Sequence, residues 1–451
     1  MSGQVTVMKF GGTSLSDSAA FERVTNIVGS YHRVCSLVVI ASAMSSVTDC
    51  LLKCMQFSEN GNFERTTEVL EEQQRRHLQV TRLLRKSDAQ LIQTFIRQRW
   101  LDLERLLKLV NEKGASAKLS DDVLSYGELL CSRLLTAILQ NHGLPAVYID
   151  ARRCIVTNQD HGRAKPLFEM TRRRTRNQII PLLRSGKIPV LGGFIGSTRR
   201  SATTTLGRGG SDYTATLIGA ALNARETQIW TDVDGVLTAD PVLIQTARRI
   251  PILSFAEAAE LARFGAKVLH PKTIHPASES NVPVRVFNSQ APEFPGTLIC
   301  RRVNHHRSLI KALAHKTGLT TVRITLKPGL NLESFKIQLS RINKQHRLFA
   351  EILATSESGI LLALDRTDAL AEMVRSLSEF GSVSVSERRA VVCCVGESWL
   401  GTSENALDNL TALEPHVEWQ RASAVSVIAE IPENRVGVVV SRLHQRIFDA
   451  N

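Results

Sequence analysis

Four short segments of the chain carry residue types and spacings suited to handling a phosphorylated anion. In the first, Lys9 is followed by Gly11, Gly12, Thr13 and Ser14. A strand that ends in a lysine and opens into glycines presents a cation and backbone N–H groups towards a helix N-terminus, which suits phosphate. The glycine pair alone also fits an ordinary turn, and no G-x-x-x-x-G-K-[ST] sequence occurs in the chain. In the second, TTTLGRGGSDYTATLIGAALNA (203–224), a glycine turn again leads into a helix, with Ser211 or Asp212 placed to cap it. Arg208 stands between glycines, where a planar fork for a carboxylate or phosphate is more natural than core packing. Asp212 suits a helix cap and a catalytic part equally. The third, WTDVDGVLTADP (230–241), puts Thr231, Asp232, Asp234 and Asp240 in an acidic loop after a strand. Its spacing and missing terminal glutamate argue against a calcium loop, leaving an edge that lines a nucleotide. The fourth, FGAKVLHP (264–271), holds Lys267 after a Gly-Ala pair, although a lone lysine is ordinarily solvated surface.

These residues need a scaffold, and the surrounding pattern supplies one. Residues 4–10 read as a strand, GGTS as a tight turn, 18–33 as an amphipathic helix and 36–44 as a buried strand, a β-turn-α-β opening. Apolar spacings of three and four among many charges predict long surface helices over 64–112, followed by a capped helix from SDDVLSYGELL onward. Strands follow at AVYID, KIPVLGGFIG and TQIWTD. Alternating strands and helices to about residue 300 predict a doubly wound α/β domain with ligands at the carboxyl ends of its strands. Beyond GTLICRRVNHHRS, short strands and helices alternate as in one or two small β-α-β-β-α-β units, with no glycine-rich phosphate loop of their own.

Composition narrows the functional classes. At 451 residues the chain exceeds a single core, so two or three domains are expected. The net charge of +13 permits polyanion binding, but the basic runs near Arg75–Lys86 and Arg172–Arg176 lack interleaved aromatics and read as solvated helix faces, so no nucleic acid partner is expected. Eight scattered cysteines form no C-x-x-C pair and read as reduced thiols. The N-terminus shows no basic and apolar signal pattern, and no apolar stretch approaches the roughly 18 residues of a membrane span. A cytoplasmic protein without a membrane partner is the expectation.

Taken in order, KFGGTS, VVIASAMSSVTD, LSYGELL, GGFIGS, TTTLGRGGSDYTA, WTDVDGVLTADP and FGAKVLHP resemble the successive signatures of aspartate kinases, from residue 4 to about 300. The resemblance implies an amino acid kinase catalytic domain over residues 1–300 and ferredoxin-like ACT regulatory units, two of them interleaved, over 305–451. It implies transfer of the ATP γ-phosphoryl group to the β-carboxylate of L-aspartate, the first step of lysine, threonine and methionine biosynthesis, with Mg2+ carried by ATP and no metal held by the protein alone. Lys9, Gly11 and Gly12 would then face the ATP phosphates, with Lys267 as the second cation. Thr231, Asp232 and Leu237 would lie along the nucleotide, and Asp212 would orient the lysines. Arg208 would pair with the α-carboxylate of aspartate, Glu128 with its α-ammonium, and the Thr48 hydroxyl with the substrate. An amino acid effector, lysine first, and a homodimer or higher homo-oligomer are implied as well.

The chemistry agrees independently. A carboxylate is already ionised at pH 7 and needs no general base to attack. The obstacle is repulsion from the triphosphate, which lysines, helix N-termini and magnesium oppose. Departures from the family pattern occur at Leu237 and Val242, where an aromatic and an arginine are common. TSES (355–358) resembles the lysine-sensitive subgroup, whereas KPGLNLESFKIQ (327–338) departs from its effector loop and Glu351 replaces an expected aspartate. A kinase for glutamate or its N-acetyl derivative fits the length and the appended half less well, and a non-catalytic paralogue fits the intact Lys9, Glu128, Arg208, Asp212 and Lys267 less well.

Overall fold

The structure is a computed structural model that describes residues 5–266, 269–301, 310–346, 350–356, 359–364, 370–396, 410–412, 414 and 417–449. The chain divides into two compact units, one of residues 1–236, 251–255 and 268–301, the other of 237–250, 256–267 and 302–451.

In the first unit, β1 (Val5–Phe10), α1 (Ser18–His32) and β2 (Ser36–Ala41) form the β-turn-α-β opening, with the Asp17 carboxylate capping α1 by accepting from the Ala20 N–H. Then come α2 (Val47–Glu59), α3 (Phe63–Val80), α4 (Lys86–Lys113), α5 (Ala117–Asn141), β3 (Ala146–Ile149), β4 (Val156–Thr157) and α6 (Phe168–Arg184). They are followed by β5 (Ile188–Gly192), β6 (Ile195–Thr198), β7 (Thr203–Thr205), α7 (Gly210–Leu222), β8 (Glu226–Thr231) and β9 (Ile252–Ser254). The last elements are α8 (Phe255–Arg263), whose residues after Phe255 belong to the second unit, α9 (Pro271–Ser280), β10 (Val284–Asn288) and β11 (Thr297–Cys300).

Among the described residues, eight strands form one sheet in the order β3-β5-β2-β1-β8-β10-β11-β9. β1 runs parallel to β2 and β8, and the register aligns Phe10 with Ala41 and with Trp230, and Ala41 with Gly192. The carboxyl ends of β1, β2, β5 and β8 therefore finish side by side, the edge where α/β sheets hold ligands. The continuous apolar run Leu37–Ala41 is buried on both faces, as central parallel strands require. Trp230 is fully buried near the end of β8, stacked between Phe10 and Phe287 with ring centroids 6.0 and 4.5 Å away.

The helices over 63–113 do more than cover the surface. α3 buries Leu70 and His77, and α4 buries Ile92, Ile96, Trp100, Leu103 and Leu107, all but His77 within the core shared with β1 and β2. Trp100 Nε1–H donates to the Leu70 carbonyl at 3.0 Å, which ties the two helices together. α5 begins at Ala117, earlier than the SDD segment suggested, because the Ser116 hydroxyl accepts from the Leu119 N–H and caps it.

The second unit contains β12 (Ala312–Leu326), α10 (Leu332–His346), β13 (Ala350–Ser356), β14 (Gly359–Leu364), α11 (Leu370–Ser378), β15 (Gly381–Val395), β16 (Trp419–Arg421), β17 (Ser426–Pro432) and α12 (Val436–His444). Six described strands pair antiparallel in the order β13-β14-β12-β15-β17-β16. β12 and β15 are each 15 residues long and pair along nearly their whole length, from Ala312 opposite Val395 to Leu326 opposite Gly381. Two separate apolar cores lie along this sheet, one around Phe335, Leu362, Met373 and Leu377, the other around Val392, Val427, Val439 and Leu443. Glu351 is held by Arg263 at 2.6 Å and faces Lys316 at 3.7 Å. Of the TSES segment, residues 357 and 358 lie outside the described residues. No helix among the described residues is long and apolar enough to cross a membrane.

Candidate active site

The turn after β1 brings its glycines into contact with the ends of two neighbouring strands. The Gly11 N–H donates to the Trp230 carbonyl at 2.9 Å, and a Cβ on Gly12 would sit 3.1 Å from the Ala43 carbonyl oxygen. Lys9, one residue inside β1, is buried, and its Nζ lies 2.6 Å from Asp212 Oδ1 in the first turn of α7. Capping of α7 by Ser211 or Asp212 is not what occurs. Gly209, in the left-handed region at φ 72°, occupies the N-cap without a side-chain hydrogen bond, which leaves the Asp212 carboxylate free to pair with Lys9.

Glu128 reaches the same place from α5. Two glycines permit the approach: a Cβ on Gly127 would be 2.8 Å from the Ala43 Cβ, and one on Gly192 would be 3.0 Å from the Glu128 Cβ. Only 3% of Glu128 is exposed, and its Oε2 accepts no hydrogen bond among the described residues. Burial pushes this carboxyl up to about 8, even though backbone N–H groups of Ala43 and Glu128 and the charge of Lys9 act in the opposite direction. A buried carboxyl with an unfilled acceptor lacks a positive partner.

One cavity of about 900 Å3, of the size that holds small molecules, is walled by Lys9, Gly11, Gly12, Thr48, Glu128, Arg208, Asp212, Thr231 and Asp232. Arg208 is exposed between Gly207 and Gly209, both in the left-handed region, and its guanidinium has no carboxylate partner among the described residues. Thr231 Oγ1 donates to Asp232 at 3.0 Å at the end of β8. Leu237 belongs to the second unit, where it bridges to Arg249, and Val242 there is exposed. Lys267 lies outside the described residues.

The sequence matches the Amino acid kinase family over residues 4–288. It is 33% identical to lysine-sensitive aspartokinase 3 of Escherichia coli (strain K12), over 99% of this chain and 100% of that protein. The chain belongs to the aspartokinases. The crystal structure of E. coli aspartokinase III in complex with aspartate and ADP (R-state) matches with a TM-score of 0.85 at 33% identity, covering 99% of this chain and all of that one. The same aspartokinase in complex with lysine and aspartate (T-state) matches with a TM-score of 0.75, covering 98% of this chain and 99% of that one.

Some walls of this aspartokinase cavity were not singled out from the sequence. Ser46 and Phe194 both line it in the left-handed region, at φ 67° and 63°. Such backbone costs of order 1–3 kcal/mol per residue and persists where the surroundings enforce it. Ser46 precedes α2 and so sets the direction from which Thr48 enters; Phe194 follows Gly192, one of the two glycines that admit Glu128, and Gly193. Gly192, Gly193 and Gly196 flank Phe194 and are the signal the sequence offers for unusual backbone there, whereas nothing in SSVTD marks Ser46. Asp121, also on the wall, is fully buried two turns before Glu128 on α5. Its residue type gave no signal, because carboxylates near helix starts are ordinarily solvated.

Proposed function

We propose that this chain transfers the γ-phosphoryl group of ATP to the β-carboxylate of L-aspartate, giving ADP and the acyl phosphate. The observation that carries this reading is the convergence in one cavity of a buried lysine–aspartate pair, an arginine with no carboxylate partner among the described residues and a buried carboxyl with one oxygen left unfilled there. An α-amino acid offers the complements of the last two. Its ammonium answers Glu128 and its α-carboxylate answers the Arg208 fork, while Thr48 can bond the remaining polar edge. The β-carboxylate is then left facing the Lys9 side. Lys9, with Asp212 fixing its position, and the Gly11-Gly12 backbone would meet the triphosphate, with Thr231, Asp232 and Leu237 along the nucleotide and Lys267 as the second cation.

In the step itself, a β-carboxylate oxygen attacks the γ-phosphorus, the bond from that phosphorus to the β,γ-bridging oxygen breaks, and ADP leaves with the electron pair. No proton moves. The protein supplies alignment and positive charge where charge redistributes. A magnesium ion carried with ATP would add charge neutralisation and be held chiefly by phosphate oxygens and water, with Asp232 among the carboxylates on the cavity wall that could add a protein oxygen.

Residues 1–300 would form the catalytic domain and 305–451 the ACT-like regulatory region. The resemblance to an aspartokinase solved with lysine makes lysine the first effector to test, acting on a homodimer or higher assembly built through that region. Hydroxylamine trapping of the acyl phosphate, with aspartate, glutamate and N-acetylglutamate offered in turn, tests the reading. Hydroxamate from aspartate alone is the expected result; hydroxamate from either alternative, or none, overturns it.

A further inference from the structure

Among the described residues no hydrogen bond or ion pair holds the Arg208 guanidinium, so its position depends on the turn that carries it. That turn is anchored from below by Asp121. Asp121 Oδ1 accepts from Thr205 Oγ1 at 2.5 Å and from the Gly162 N–H at 3.0 Å; Oδ2 lies 2.7 Å from His161 Nδ1 and accepts from the same Gly162 N–H at 3.2 Å. One fully buried carboxylate thus fastens two separate strands of chain to α5. The two also touch each other: the Ala164 N–H donates to the Thr205 carbonyl at 2.9 Å, and a Cβ on Gly207 would lie 3.2 Å from the Gly162 oxygen. The clamped segments are the direct neighbours of Gly207-Arg208-Gly209. Asp121 and Glu128, seven residues apart, share one face of α5 and both border the cavity.

We propose that Asp121 is a positioning residue that sets the place of Arg208 relative to Glu128, and so the spacing at which the substrate's α-carboxylate and α-ammonium are held. This rests on the roles of Arg208 and Glu128 proposed above. A single helix then gauges both ends of the amino acid backbone, Glu128 directly and Arg208 through the clamp. A carboxylate is required because three donors converge on it, and an amide has one acceptor oxygen where the carboxylate has two. Misplacement of a binding group by about 1 Å is enough to cost up to about a hundredfold.

Steady-state kinetics of the full chain, varying aspartate and ATP in turn, test this with Asp121→Asn and Thr205→Val, alongside hydrogen exchange at the Gly162 amide. The expected result is a KM for aspartate raised tenfold or more in Asp121→Asn and threefold or more in Thr205→Val. The KM for ATP stays within twofold, and the Gly162 amide exchanges faster in both. A role in stability alone would lower the active fraction and the melting temperature without separating the two KM values. If Asp121→Asn does not fold, Thr205→Val and His161→Gln carry the comparison. Variants whose KM for aspartate stays within twofold, or whose two KM values rise together, overturn the proposal while leaving the activity standing. Wild-type protein that forms no acyl phosphate overturns the functional reading and this inference with it.

Discussion

Raising the pH from 6 to 8 should tighten aspartate binding to this site by drawing a proton from Glu128. Burial holds that carboxyl at about 8 in the empty cavity. About a hundredth of empty sites then carry the anion at pH 6, about a tenth at pH 7 and about half at pH 8. A substrate ammonium is stabilised by the anion and not by the neutral acid, so the apparent Kd scales inversely with the ionised fraction. It falls about tenfold between pH 6 and 7, about fivefold between pH 7 and 8, and flattens above about pH 9. Calorimetry at pH 7 in two buffers of different ionisation enthalpy should show about 0.9 proton released per aspartate bound. Stability supplies the second sign. The native empty protein keeps a proton the unfolded chain has lost, so this group lowers stability as pH rises from about 4.5 to about 8, and aspartate opposes the loss. Glu128→Gln removes the pH slope and the proton release and raises the KM for aspartate. A wild-type affinity that is flat from pH 6 to 8, with no proton released, would refute the assignment of Glu128 to the ammonium.

Four further outcomes are expected. Lys9→Met should depress kcat about a hundredfold or more with a smaller change in the KM for aspartate, because its charge acts where the phosphoryl group moves; near-normal turnover in steady-state kinetics would count against its role. Arg208→Lys should raise the KM for aspartate while largely sparing kcat, since a point charge does not copy a two-pronged fork. Gly192→Ala drives a methyl group to 3.0 Å from the Glu128 Cβ and 3.1 Å from its carbonyl, so thermal melting should show a loss of about 1–3 kcal/mol together with a raised KM for aspartate. Light scattering and kinetics with lysine should show an assembled enzyme inhibited by lysine; a fully active monomer indifferent to lysine, threonine and methionine would remove the role given to residues 305–451.

Much of the catalytic half was legible because parallel strands buried on both faces read as unbroken apolar runs, as in SLVVIA, and because glycines mark the turns at their ends. What escaped reading depends on packing at a distance. The start of α5 moved because the Ser116 hydroxyl, four residues before the SDD segment, found the Leu119 N–H. The helices of 63–113 were taken as surface because many charges are spread among their apolar residues, yet one apolar stripe of each is enough to join the core. The Asp212 cap failed for a related reason: Gly209 in the left-handed region ends the turn by itself, and the buried Lys9 is a stronger partner for the carboxylate than a backbone N–H. The Asp121 clamp joins positions 121, 161, 162 and 205, and no spacing rule along the chain connects them.

The stack of Phe10, Trp230 and Phe287 also gives this protein an optical reporter. The Trp230 carbonyl receives the Gly11 N–H and the Ser14 hydroxyl, so the indole is joined through its own backbone to the turn proposed to meet phosphate, and its next residue, Thr231, is on the cavity wall. Its ring nitrogen is bonded to Gln228 at 3.1 Å and its faces are covered by aromatic rings, which shields it from water and from added quenchers. Occupation of the phosphate turn would be read as a change in intrinsic emission, without a label and without turnover, and Trp230→Phe would silence that signal while keeping an aromatic ring in the stack.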